Sequence, residues 1–309
     1  MTSASRHHIV APAERSTLRD LELIARATAE GLRQGLHRSP FHGYSAEFSQ
    51  YRHYRPGDDL KYVDWKAFGR TDRLYTRQFR ETSNLDALFV VDVSRSMNFP
   101  AADSHERGSV RHERTKLALA QAAAAALATL VIDQGDTAGL LAVGDSTSFV
   151  PARSGRHHLH LLLASLARLT ASAVTPVSTA LKRVSVVAAR RGLVVLLSDL
   201  YDDEAALGEV RRLSRMRHEV IVCHVLARAE LHLRRVPAGE FVDLETGTRA
   251  TVDPGAASAI YEQAFATFLS RVTHSLAREG VDYVRLVTDE PIEAALRRFL
   301  VARRRPRVM

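Results

Sequence analysis

One cysteine, one tryptophan and four methionines in 309 residues leave few groups for redox or thiol chemistry. The single thiol, Cys223, excludes a disulfide within the chain and fits a reducing compartment. It lies in the apolar run 220–225, where a small buried hydrophobe is expected rather than a reactive group. No apolar run reaches the roughly 20 residues a membrane-spanning helix needs. The longest uncharged stretch, residues 117–132, is alanine-rich and carries Gln121. The N-terminal residues, with Arg6, Glu14, Arg15 and Asp20, lack the apolar core of a signal peptide. A soluble, cytoplasmic protein is expected. Also missing are a P-loop lysine motif, a Gly-x-Ser-x-Gly elbow, and RNP, zinc-finger or helix-turn-helix patterns. These absences weigh against nucleotide hydrolysis, a serine nucleophile and sequence-specific nucleic-acid reading.

What the chain does have is a hydrophobic fraction of 46%, enough for a proper core, and a net charge of +8 with a pI near 10. The basic residues are dispersed: Arg211, Arg212, Arg215 and Arg217 on one predicted helix, Arg234 and Arg235 in a loop, and Arg303 to Arg307 at the tail. Solvated arginine-rich surface is the expected reading. A basic RNA-binding protein is the alternative, which a steep salt dependence of affinity would mark.

Apolar runs and helically periodic stretches alternate along the chain. Residues 16–35 carry Leu18, Leu21, Ile24, Ala25, Ala29 and Leu32 at helical spacing, with Ser16 or Thr17 as N-cap. Residues 43–81 differ in kind, interleaving tyrosines and the only tryptophan with arginine and acid. There Arg52, Arg55, Asp58, Asp59, Asp64 and Trp65 form either a fixed ion-pair and stacking cluster docked on the main domain, or a recognition surface. With Arg70 the charges of Asp58, Asp59, Asp64, Arg52 and Arg55 nearly balance, which favours the fixed cluster. Residues 74–79 read as a strand, and 88–91 as a buried parallel one. A polar loop (98–111), an alanine-rich helix (113–134), a strand (137–143) and an antiparallel edge strand (146–150) follow. The helix 156–169 opens with His157, His158 and His160, which lack a cysteine or carboxylate in the same turn and so make a poor metal site. Beyond it come a helix to 190, a strand (193–198), a helix (204–216) and a strand (219–226). A hairpin (240–252) turning at Thr246-Gly247, a helix (257–279), a strand (281–287) and a helix (290–303) complete the chain. This alternation predicts the α/β class: a doubly wound, mostly parallel sheet flanked by helices, with an N-terminal arm and a β-hairpin insertion. The expected division is a helix and arm over 1–84, the α/β domain over 85–303 and a basic tail over 304–309.

Chemistry concentrates at strand ends. Residues 88–97 run from the buried strand into Asp92, Ser94 and Ser96 at alternate positions. Open α/β sheets bind ligands at the carboxyl ends of their strands. One carboxylate with two hydroxyls there suits a hard cation such as magnesium. Asp and Ser are also ordinary turn and cap residues, so the triplet gains weight only from Thr175, before a helix, and Asp199, just past the strand 193–198. In this order the five residues resemble the metal-ion-dependent adhesion site (MIDAS) of von Willebrand factor type A (vWA) domains. The resemblance implies a vWA-like fold and magnesium, or manganese, held by the hydroxyls of Ser94, Ser96 and Thr175. It implies that Asp92 and Asp199 act mainly through water. A cation so weakly neutralised favours a partner's acidic side chain at its open position. Pro176 follows Thr175 where related domains often carry a polar residue.

Gly57-Asp58-Asp59, Val63-Asp64-Trp65 and residues 77–81 precede the Asp-x-Ser-x-Ser strand, and Thr288-Asp289-Glu290-Pro291 with the 296–303 helix closes the match. These segments resemble the bacterial DUF58 family over about residues 39–303. Members often occur with MoxR-type AAA+ ATPases, which implies an adaptor or co-chaperone role with such an ATPase as partner. With no catalytic apparatus in the sequence, the expected function is a non-catalytic, magnesium-dependent protein-interaction module. Phosphoryl transfer at an Asp92 nucleophile is the remaining enzymatic alternative. Against it, Ser94 stands two positions on, where a second acid would be needed.

Overall fold

The computed structural model describes residues 12–34, 46–56, 58–59, 62–81, 85–99, 115–144, 147–171, 175–188, 190–201, 203–233 and 239–303. From residue 100 onward the expected polar loop 98–111 lies outside them, as do Gly43, Gly57, Arg234, Arg235 and the basic tail 304–309. The chain forms two compact units, one of residues 41–85 and one combining 1–40 with 86–309. This corrects the expected division at its N-terminal end. Helix α1 (Pro12–Gln34) belongs with the larger unit because Ala25, Ala29 and Leu32 are wholly buried there. It also starts about a turn before the expected cap at Ser16 or Thr17.

In the smaller unit β1 (Ala46–His53) leads to a short helix, α2 (Trp65–Thr71), and then to β2 (Tyr75–Glu81), antiparallel to β1. The residues of β1 show no apolar alternation, so sequence pattern alone does not announce it. The strand exists through its pairing, with Tyr51 opposite Arg77 and His53 opposite Tyr75.

The larger unit continues with β3 (Asp86–Val91), a 3-10 turn (Arg95–Asn98), α3 (Lys116–Asp133), β4 (Thr137–Val143), β5 (Thr147–Arg153), α4 (Arg156–Ala167), α5 (Val177–Val187) and β6 (Leu193–Ser198). Then come α6 (Asp203–Arg215), β7 (Glu219–Leu226), α7 (Arg228–Leu231), the hairpin β8 (Gly239–Val242) and β9 (Arg249–Val252), α8 (Pro254–Arg278), β10 (Asp282–Val287) and α9 (Ile292–Arg303). One six-stranded sheet has the order β10-β7-β6-β3-β4-β5, every neighbour parallel except the edge strand β5. The hairpin forms its own two-stranded sheet.

Both faces of the sheet are covered, as parallel strands with continuous apolar runs require. On one face Leu88, Val90, Val194, Leu196 and Val222 pack against Leu181 and Val184 of α5, Leu207 and Val210 of α6, and Leu276 of α8. On the other lies α3, with α1 and α4 packed upon it. By length and composition α3 could cross a membrane, yet it is 83% buried within the fold, the behaviour of a core helix. Its alanines at 122–126, nearly all without exposure, let neighbouring elements approach closely. The result is the doubly wound α/β architecture that the alternation of elements predicts.

Candidate functional site

Strands β3 and β6 are neighbours in parallel register, Val91 opposite Leu197, so their C-terminal ends bring Asp92 and Asp199 to one crest. The Asp92 amide still donates to the Leu197 carbonyl at 2.9 Å, and beyond it the chain turns away. One Asp92 oxygen accepts from the Ser94 amide at 2.9 Å, and the other from the Ser198 hydroxyl at 2.5 Å. The turn that follows sets the hydroxyls of Ser94 and Ser96 3.1 Å apart. Asp92, Ser94, Ser96 and Asp199 are each less than a tenth exposed. On the β6 side the backbone bends sharply: Leu200 is buried at φ +54, a strained left-handed conformation for leucine. That bend lets the Tyr201 amide donate to Asp199 Oδ1 at 3.1 Å and the Leu200 amide to Ser198 Oγ at 2.9 Å.

Electrostatics at the crest is governed by buried acid. Burial, and then the neighbouring Asp199 carboxylate, push the Asp92 pKa up to about 6. Asp199 has a counter-ion of its own: the Lys116 ammonium, 2% exposed, donates to Asp199 Oδ2 at 2.7 Å and to Glu230 Oε1 at 2.6 Å. Burial opposes the charge on Lys116, but Asp199 and Glu230 outweigh it and hold its pKa above the usual lysine value. Thr115 caps α3 by accepting from the Ala118 amide at 3.1 Å, which places Lys116 at the first helical position. The other oxygen of Glu230 accepts from the Ala227 amide at 2.7 Å. His224 is fully buried beneath Asp199. Its Nε2 donates to the Asp199 carbonyl and its Nδ1 accepts from the Tyr283 hydroxyl, both at 3.0 Å, and burial drives its pKa down to about 4.

The structure therefore gathers four of the five residues of the expected site. Thr175 is half-buried in the bend before α5, two residues ahead of Val177, which belongs to the core shared with Val90 and Val143. Among the described residues no hydrogen bond joins it to Asp92, Ser94 or Ser96. Two acids escape sequence reasoning: Glu230, and Glu245 at the hairpin tip, whose Oε1 accepts from the Ser96 amide at 2.7 Å. Lys116 and Ser198 escape it as well. A lone lysine opening an otherwise apolar helix was the one available signal. The histidines of α4 are accounted for separately: His158 bonds to the Ala138 carbonyl at 2.7 Å and His160 to Glu22 at 2.8 Å. Among the described residues no three His, Cys, Asp or Glu side chains group as a metal site, so any cation at the crest depends on hydroxyls. Asp92, Ser94 and Ser96 fit such a cation: oxygen donors only, with an aspartate whose pKa burial first, and then the Asp199 carboxylate, raise.

In the smaller unit the residues of the arm divide by role. Asp58 accepts from the Arg55 amide, both contacts of the Arg52 guanidinium at 2.8 and 2.9 Å, and the Thr76 hydroxyl. The Arg55 amide first, then Arg52, hold its carboxyl below the ordinary range. Asp64, 4% exposed, caps α2 by accepting from the Lys66 and Ala67 amides, and takes the Tyr51 hydroxyl at 2.9 Å. Arg55 and Asp59 are exposed, and Trp65 is 58% exposed. Asp64→Ala should thus lower stability by about 1–2 kcal/mol through the lost cap. Trp65→Ala should change it by less than about 0.5 kcal/mol, as exposed sites do. Urea melts of the two variants that coincide with each other would contradict this division.

A doubly wound α/β domain with an acid-and-hydroxyl crest is thus the class of protein defined by fold and site. The model of the family described as "Protein of unknown function DUF58" matches residues 50–270, and the chain belongs to that family. An uncharacterized protein of Mycobacterium tuberculosis, Rv1480, is 30% identical over 296 residues, covering 94% of this chain and 90% of its own length. Uncharacterized YeaD of Bacillus subtilis is 26% identical over 141 residues, 45% of this chain and 31% of its own. Among solved structures, BatB from Bacteroides thetaiotaomicron covers 71% of this chain and 98% of its own at 14% identity and TM-score 0.43. The SpRpn10 VWA domain covers 69% and 93% at 12% identity and TM-score 0.38.

Proposed function

We propose that this DUF58 protein is a non-catalytic, magnesium-dependent protein-interaction module that works as an adaptor or co-chaperone of a MoxR-type AAA+ ATPase. The observation carrying the proposal is the pair Asp92 and Asp199, both buried and close enough to interact, at the strand end that leads into the Ser94 and Ser96 hydroxyls. Lys116 accompanies Asp199 and Glu230, whereas the donors to Asp92 among the described residues, the Ser94 amide and the Ser198 hydroxyl, are neutral. The hydroxyls of Ser94, Ser96 and Thr175 would hold the cation, with Asp92 and Asp199 acting mainly through water, as in the MIDAS arrangement. When bound, the cation supplies positive charge at the crest and an open position for a carboxylate.

The chain's own residues set the conditions. Asp92 fixes the turn through the Ser94 amide, Ser198 orients Asp92, and Lys116 pairs with Asp199. The crest acids named above, Asp92, Asp199, Glu230 and Glu245, outnumber Lys116. In the absence of a cation they repel an acidic partner, whatever the chain's overall charge of +8. Binding to a MoxR-type AAA+ ATPase is therefore expected to need magnesium, weaken with salt, and fail in Thr175→Ala. Surface plasmon resonance with and without chelator is the test. Affinity untouched by chelation would overturn the proposal.

A further inference from the structure

The hairpin β8–β9 stands outside the main sheet, yet its tip reaches the crest across 149 residues of sequence. The 3-10 turn at Arg95–Asn98 explains what it finds there. Ser94, at the N-cap, makes no side-chain cap bond, and of the amides in this turn Asp92 takes that of Ser94. The Ser96 amide, left without a local acceptor, donates instead to Glu245 Oε1 at 2.7 Å. The tip is built to deliver that carboxylate. Asp243 Oδ1 accepts from the amides of Glu245 and Thr246 at 2.8 and 3.2 Å, and the Asp243 carbonyl accepts from Gly247 at 2.8 Å. Gly247 turns the chain at φ +73, which a glycine takes without strain. The same Asp243 anchors the tip to the crest, its Oδ2 accepting from the Tyr201 hydroxyl at 2.9 Å, two residues past Asp199.

We propose that Glu245 is a tethered ligand of the crest: it occupies the position that receives an acidic side chain, and a partner's carboxylate must displace it. This rests on the crest being a carboxylate-accepting site, as proposed above. A carboxylate already seated on the Ser96 amide, beside the Ser94 and Ser96 hydroxyls, is chemically what such a partner would supply. Because it is held intramolecularly, Glu245 competes at a high effective concentration. The contact at Tyr201–Asp243 sets how readily the tip lifts. The hairpin thereby makes binding conditional, favouring a partner that offers both an acid and contacts to replace those of the tip.

The test uses the full chain, wild type and Glu245→Ala, with two readouts. First, amide hydrogen exchange without added metal: Ser96 should exchange about ten-fold faster in Glu245→Ala, while β3 and β6 amides keep wild-type rates and report an intact fold. Unchanged Ser96 exchange would overturn the tether. Second, affinity for the ATPase in magnesium: Glu245→Ala should bind about ten-fold more tightly. Equal or weaker binding would overturn the competitor role. If Ser96 exchange accelerates but neither protein binds in a magnesium-dependent way, the tether is supported and the partner reading fails. A second variant, Tyr201→Phe, should move both readouts in the same direction by a smaller factor, because it frees only the anchor.

Discussion

Lys116→Met is expected to destabilise the larger unit by about 3–5 kcal/mol, the scale for removing one partner of a buried ion pair. Methionine keeps much of the stem's packing, so the loss reports the charge. The ammonium is 2% exposed and holds Asp199 and Glu230 together; without it these two carboxylates and the nearby Asp92 lose the cation that bridges the pair. Their repulsion can be relieved by protonation of Asp92, whose pKa burial and Asp199 push up to about 6, so the deficit should shrink below about pH 6. Millimolar magnesium should also restore part of the loss, since any ligand of the native state stabilises it by mass action. Urea unfolding at pH 7, with and without magnesium, measures both effects. A midpoint within error of wild type would mean that Lys116 does not carry the charge balance of the crest.

Asp92→Asn is expected to act in the opposite direction. Above about pH 6 the folded protein must keep Asp92 ionised against burial and Asp199, although its unfolded value is 3.8. That penalty is fully present above about 6 and disappears below 3.8. A shift of about two units corresponds to roughly 3 kcal/mol at 1.36 kcal/mol per unit, so metal-free Asp92→Asn should be more stable at pH 7 by about 2 kcal/mol once altered hydrogen bonding is allowed for. His224 contributes with the reverse sign. Its folded value of about 4 lies below the ordinary histidine value of 6.5, so its contribution is absent above 6.5 and destabilises progressively down to about 4. In the wild type the two trends largely offset each other between pH 4 and 6.5. In Asp92→Asn only the histidine trend remains, and stability should fall on acidification through that window. Denaturation curves at pH 7 and 4.5 test this; a variant less stable than wild type at pH 7 without metal would contradict it.

Much of the fold was legible because parallel strands buried on both faces leave unbroken apolar runs. The runs at 88–91, 137–143, 193–198 and 219–226 became β3, β4, β6 and β7 with only small shifts of boundary. The Asp-x-Ser-x-Ser turn was legible for a related reason: it sits directly at the end of such a run. Strand β1 and the placement of α1 with the larger unit were not, since both depend on pairing and packing partners far away in sequence. The rest of the crest was hidden in the same way. Lys116 reads as the start of an alanine-rich helix, and Glu245 as one acid in a hairpin turn. Only the fold shows that one neutralises Asp199 and the other caps the Ser96 turn.

The central claim is that the crest holds a divalent cation, and calorimetric titration of magnesium or manganese into the metal-free chain tests it most directly. Wild type should bind at one site. Ser94→Ala and Asp92→Asn should lose that binding while keeping the melting behaviour of a folded domain, the second even gaining stability. Unchanged binding in both variants would place the cation elsewhere, and no binding by the wild type would leave Asp92, Ser94 and Ser96 as a buried polar turn without a metal.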